Sequence, residues 1–162
     1  MRNRIWYEFI DSYYYIQYLG LEIKKLELQN KWVDNISMLL SFGSIAGWYK
    51  YADYHVIWAS LLTILNGAKL MKSKLMTSES EISTLKSVLE FYIDQARKLE
   101  NLWIQYNKDG SNDDEVELIF EKLRDEERLM MKINKHGKIE GKEPIKSKAA
   151  ELANQYFSRI TF

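Results

Sequence analysis

The sequence predicts an all-α protein built around an apolar helical hairpin. Three observations carry this. A single proline, Pro144, leaves nearly the whole chain free to be helical. Apolar residues recur at helical, largely seven-residue, spacing through most of it. Two uncharged runs, Asn35–Tyr49 and Tyr54–Ala68, are separated only by the short polar stretch Lys50–Asp53.

Residues 1–31 are predicted to hold an amphipathic helix from about Ile5 to Asn30. Phe9, Ile16 and Ile23 form one row, and Leu19, Leu26 and Val33 a neighbouring row. Tyr13, Tyr14, Tyr15 and Tyr18 thicken the stripe, as core rings or as residues of a membrane–water boundary.

Residues 32–70 form the predicted transmembrane hairpin. Each uncharged run has about 15 residues, roughly 22 Å of helix, which lies between a buried core helix and a full span. Trp32 stands at one end, and Trp48, Tyr49, Tyr51 and Tyr54 at the other, as aromatic residues do at membrane interfaces. Lys31, Lys69, Lys72 and Lys74 flank the open ends, where long side chains snorkel. Gly43 and Gly47 form a GxxxG pair that admits a close helix neighbour. The excess of lysine outside the hairpin, against Lys50 and Asp53 at its tip, predicts that both termini lie in the cytoplasm. The competing reading is a hairpin buried in a soluble or membrane-peripheral bundle.

Residues 71–135 are predicted to form a helical stalk. Leu75, Ile82, Leu89, Ala96 and Trp103 are seven apart, with Leu85, Tyr92, Leu99 and Tyr106 as the partner row. One helix from Ala68 to Tyr106 is expected, or a fresh start capped by Ser78. After the turn at Asn107–Asn112, the acids Asp113, Asp114 and Glu115 open another helix, striped by Val116, Leu123 and Met130 with Ile119 and Ile133 beside them. Residues 136–162 comprise a basic loop, His136–Pro144, and a last helix from about Lys146 to Phe157 that buries Ala149, Leu152 and Tyr156.

The composition excludes several chemistries. Formal net charge is zero, so no whole-chain basic field attracts duplex nucleic acid. There is no cysteine, hence no disulfide, thiolate metal site or thiol nucleophile. The two histidines, His55 and His136, are far apart. No phosphate loop, nucleophile elbow or HExxH motif occurs. A non-enzymatic protein without a cofactor or metal is expected.

Two sets of residues are candidate sites. Asp34, Ser37, Ser41 and Ser44 fall within about 80° of helical arc, a candidate pore lining. Ser60, Thr63, Asn66 and Gly67 make a weaker stripe on the second run, and such hydroxyls also bond backbone or neighbouring helices. Two spans enclose no pore, so conduction requires a homo-oligomer. Lys132, Lys135, His136, Lys138 and Lys142, on a glycine-containing loop, are candidate holders of a phosphate-bearing ligand. Arg97, Lys98, Arg124 and Arg128 are alternatives.

The order of a leading helix, Asn35–Tyr49, Tyr54–Leu70 and the heptad helix through Leu85–Tyr106 resembles the SLATT family of bacterial two-span effectors. The resemblance covers roughly residues 5–135, through architecture and small/apolar pattern. Asp34 and Asp53 shorten the uncharged runs relative to that pattern. It implies an inner-membrane effector of anti-phage defence, encoded beside a nucleotidyltransferase and gated by a nucleotide signal. In the Hailong type of such systems, DNA oligomers hold a small tetrameric channel closed. The resemblance therefore implies a tetramer, a nucleotide or single-stranded oligonucleotide ligand, and abortive infection by membrane disruption.

Overall fold

A computed structural model describes residues 1–50, 56–57, 59–60, 63–64, 67, 78–109, 113–133 and 143–159, with backbone alone at 37, 40–50, 109 and 131–133. The described residues are helical almost throughout, as the sequence predicts. Four helices are delimited: α1 (Arg2–Lys50), α2 (Glu79–Asp109), α3 (Asp113–Ile133) and α4 (Glu143–Arg159). Described residues between 56 and 67 are helical as well. Two compact units result. The first comprises Met1–Ile23 with Ser83–Phe162, and the second Lys24–Ile82.

The first unit is a four-helix assembly whose core is built from α1, α2 and α3. Ile5 and Phe9 of α1 pack with Ala96, Leu99 and Leu102 of α2 and Val116, Phe120 and Leu123 of α3. A second cluster joins Tyr18 and Leu19 of α1 to Tyr92 of α2 and Ala149 of α4. Of the seven-residue rows, Phe9, Leu19, Ile23, Tyr92, Ala96 and Leu99 are buried in this unit and Ile82 in the second. Ile16, Leu85, Leu89, Trp103 and Tyr106 are half-buried, and Val33, in the second unit, is exposed. Phe120, fully buried, is a core residue that the seven-residue row through Val116 and Leu123 passes over, and Ile119, placed beside that row, is exposed. A helix turning about 100° per residue puts position 120 about 40° to one side of 116 and 123 about 20° to the other, and carries 119 about 40° beyond 123, to the edge of that face.

Aromatic rings fasten α4 to α1. Tyr13 stacks on Tyr156 at 4.1 Å between ring centroids, and Phe157 meets Phe9 edge-on at 5.3 Å. Trp6 contacts Phe157 at 5.3 Å and Trp103 of α2 at 5.1 Å. Such pairs contribute about 0.5–1.5 kcal/mol each beyond the area they bury. Pro144 lies inside the first turn of α4 rather than in the preceding loop. Its missing N–H and fixed φ suit that position.

One helix boundary differs from expectation, and another decides between the two starts expected for the stalk helix. The N-terminal helix does not stop near Asn30. It runs on unbroken as α1 for 49 residues, about 73 Å at 1.5 Å per residue. Neither proline nor a cap interrupts it, and the polar stretch Gln29–Lys31 is simply exposed or half-buried helix. Conversely, no single helix runs from Ala68 to Tyr106. Ser78 lies outside the helix, and α2 begins at Glu79 with a reciprocal cap. The Glu81 N–H donates to Ser78 Oγ at 3.2 Å, and the Ser78 N–H donates to Glu81 Oε2 at 3.0 Å. This capping box satisfies two N–H groups that a helix start leaves open.

The second unit differs in its surface. From Leu28 onward α1 leaves large apolar side chains exposed: Trp32, Val33, Ile36, Met38 and Leu39, the last at 71 %. Val56, Ile57 and Ile64, at 70 % for Ile64, do the same. Among the described residues no helix is long and apolar enough to cross a membrane. Serine, glycine and aromatic residues dilute the apolar run of α1, and Lys31 and Asp34 stand close before it. The predicted second run falls mostly outside the described residues.

Phe120→Ala removes the ring at the centre of the first unit. Loss of about 3–5 kcal/mol of unfolding free energy is expected in urea titrations followed by helical circular dichroism. Leu118→Ala, on the opposite face of α3, is expected to change stability by less than about 0.5 kcal/mol.

Candidate functional site

α1 places Asp34, Ser37, Ser41 and Ser44 along one unbroken helix, so their common arc holds in the backbone register. Gly43 and Gly47 share that helix one turn apart. Asp34 is exposed and is not an isolated charge. The side chains of the serines lie outside the described residues. On the second run, the Ser60 hydroxyl donates to the Val56 carbonyl at 2.9 Å, and that of Thr63 donates to the Ala59 carbonyl at 2.8 Å. Both hydroxyls are satisfied by their own helix, the alternative to lining that the sequence left open.

Of the proposed phosphate-holding residues, Lys132 is in the last turn of α3, where its backbone alone is described. Lys135, His136, Lys138 and Lys142 lie outside the described residues. The alternative cations are largely committed elsewhere. Lys98 pairs with Asp94 at 2.9 Å and Glu126 at 3.3 Å. Arg128 pairs with Asp125 at 3.1 Å, and Arg124 with Glu8 at 3.5 Å. Arg97 is exposed and, among the described residues, forms no ion pair. A further open depression is lined by Arg2, Trp103, Ile104, Asn107 and Lys108, which the sequence analysis did not single out. Among the described residues no group of acids and histidines is arranged to hold a metal ion.

The electrostatic centre of the first unit lies where α1, α2 and α3 meet. The buried Tyr92 donates its hydroxyl to Glu127 Oε1 at 3.1 Å, and its ring stacks on Tyr15 at 4.9 Å. Burial raises the Tyr92 phenol far above its ordinary range, and the Glu127 carboxylate adds to the effect by charge and by accepting the hydrogen bond. Burial likewise raises Tyr18, to about 12, with a smaller contribution from Glu22. Both phenols are thereby held in the neutral form, and that of Tyr92 is a donor. Glu8 completes the cluster. Burial lifts its carboxyl above the usual range, and Glu127 and Asp11 push in the same direction. The Arg124 pair opposes this but is too long to outweigh desolvation. Gln95, also buried, has an Oε1 without a hydrogen-bond partner among the described residues, and Ser12 is buried too. Tyr92 and its row were legible as core. The Tyr92–Glu127 bond was not, because it joins residues 35 positions apart in the chain.

No known protein family, curated protein or solved structure matches this chain.

Since the folded pKa of Glu8 is raised, its protonated form favours the fold. That contribution is present below the unfolded value and lost as pH rises through the folded one. Glu8→Gln, a mimic of the protonated acid, is expected to be more stable than the parent at pH 7. The difference should vanish by about pH 4 in denaturation midpoints taken across the range.

Proposed function

We propose that this chain is a homo-oligomeric membrane effector whose hairpin, residues 32–70, inserts as two short spans. The observation that carries the reading is the contrast along α1. Ile5, Phe9, Tyr18, Leu19 and Ile23 are buried, whereas Trp32, Val33, Ile36, Met38 and Leu39 lie open to the surroundings, as do Val56, Ile57 and Ile64. A contiguous apolar surface of this kind marks contact with lipid or another protein. Runs of about 15 residues reach across a bilayer if it thins locally and the flanking lysines snorkel. In this reading the hairpin crosses a bacterial inner membrane and both termini are cytoplasmic. Asp34, Ser37, Ser41 and Ser44 line an ion channel or pore in the oligomer, and Gly43 and Gly47 pack neighbouring spans.

The first unit is then the cytoplasmic regulatory bundle. A nucleotide or single-stranded oligonucleotide, held by Lys132, Lys135, His136, Lys138 and Lys142, shifts the bundle and gates the pore. The path of that shift is α1, which is continuous from the bundle into the first run, rather than α2, which starts afresh after Ser78. The resemblance to two-span effectors suggests a tetramer, a nucleotidyltransferase made alongside it, and a role in anti-phage defence by membrane disruption.

A second reading is a membrane-peripheral or soluble helical-bundle interaction protein, with the hairpin face as its protein contact. The observation that favours it is that no described helix meets the length and apolarity of a span.

The two readings separate on membrane extraction. The full chain is expected to stay in carbonate-washed membranes and to collapse membrane potential when expressed. Leu39→Lys combined with Ile64→Lys should release it and abolish the collapse. Recovery of the parent in the soluble fraction without detergent would remove the channel reading. For the ligand, Lys138→Glu with Lys142→Glu is expected to lower affinity for a short single-stranded oligonucleotide at least tenfold at low salt. Unchanged binding would place that site elsewhere.

A further inference from the structure

The outer face of α3 carries a row that the core does not use. Glu115, Leu118, Lys122, Asp125, Leu129 and Lys132 follow one another at spacings of three and four residues, which aligns them along one side of the helix. The row lies opposite Val116, Phe120 and Leu123, which are spent on the core. Leu118 is 73 % exposed and Leu129 60 % exposed. Lys122 is exposed and forms no ion pair among the described residues. Asp125 holds Arg128 in a pair open to solvent on both sides, a kind of contact that contributes little.

This row is complementary to its own reverse. Laid antiparallel against a second copy, about a two-fold axis between Leu123 and Arg124, each Leu118 meets the Leu129 position of the other copy. Each Lys122 meets the Asp125 position, and the Glu115 and Lys132 positions correspond. The four central positions then meet apolar on apolar or cation on anion, and each contact occurs twice, as an isologous interface requires. Laid parallel, the same row sets Lys122 on Lys122 and Asp125 on Asp125.

We propose that two copies of this chain pack α3 against α3, antiparallel, through Leu118, Lys122, Asp125 and Leu129. The contact is short, and below the area that sustains a stable complex alone. It acts between copies already held close, and in this it rests on the homo-oligomeric reading above. The charge layers fix direction and register, and the leucine layers supply the apolar contact.

The absence of native cysteine makes the register directly testable. Differently tagged full-length copies bearing Leu118→Cys and Leu129→Cys are co-expressed and mildly oxidised. The antiparallel contact predicts a mixed disulfide between the two tags, with little self-linkage of Leu118→Cys. In one chain these positions are eleven residues, about 16 Å, apart on the same helix, too far to link internally. Lys122→Asp should cut the mixed product about tenfold, and adding Asp125→Lys should restore it. Self-linkage of Leu118→Cys equal to the mixed product, or no rescue by the charge swap, would overturn the proposal. Mixed dimers in the soluble fraction would uphold this interface while removing the membrane reading. Membrane-retained protein without mixed dimers would overturn the interface alone.

Discussion

Everything in this protein depends on how the first helix divides its apolar surface. Ile5, Phe9, Tyr18, Leu19 and Ile23 are buried against the other helices of the first unit. Further along the same unbroken helix, Leu28, Trp32, Val33, Ile36, Met38 and Leu39 are exposed. Burying a leucine, isoleucine or phenylalanine side chain contributes about 1.5–3 kcal/mol, so the first half of α1 is strongly anchored. Trp32, Val33, Ile36, Met38 and Leu39 have no such burial, and exposed large apolar side chains of this kind are what the membrane reading proposed above rests on.

The core that anchors α1 also constrains the charges around it. Tyr92 is held between the stacked ring of Tyr15 and the carboxylate of Glu127, while Glu8 is drawn into the same desolvated region. Burial raises the Tyr92 phenol and the Glu8 carboxyl alike, so part of the fit of α1 against α2 and α3 depends on pH through Glu8. Arg4 adds a peripheral clasp, pairing with Glu117 at 3.2 Å and lying over the Phe120 ring at 5.3 Å. The exposed pair adds little by itself, but its position closes the end of the core that Ile5 and Phe120 fill.

Much of this was legible in the sequence because it is local or periodic. The rows Ile82–Ala96 and Tyr92–Leu99 mark a largely buried face at a seven-residue period, and Ser78 is the kind of residue that caps a fresh helix. The extent of α1 was not legible. Gln29, Asn30, Lys31 and Asp34 look like the end of an amphipathic helix, yet none of them breaks a helix, and a strongly anchored first half carries the chain through them. Phe120 was passed over because a strict heptad ignores the neighbouring positions that a wider apolar face uses. Of the candidate site, the register of Asp34, Ser37, Ser41 and Ser44 follows from helicity. The bonds of Ser60 and Thr63 to their own helix depend on hydroxyl rotamers, which a sequence pattern does not encode.

If the hairpin inserts as proposed above, Leu39 and Ile64 face lipid while Leu118 faces water. A cysteine-free chain allows spin labels to be placed singly at Leu39→Cys, Ile64→Cys and Leu118→Cys in the full protein reconstituted into vesicles. Collision with oxygen, which concentrates in lipid, is then compared with collision with a water-soluble nickel chelate. Labels at 39 and 64 are expected to favour oxygen and the label at 118 the chelate. Equal access of the chelate to all three positions would rule out insertion.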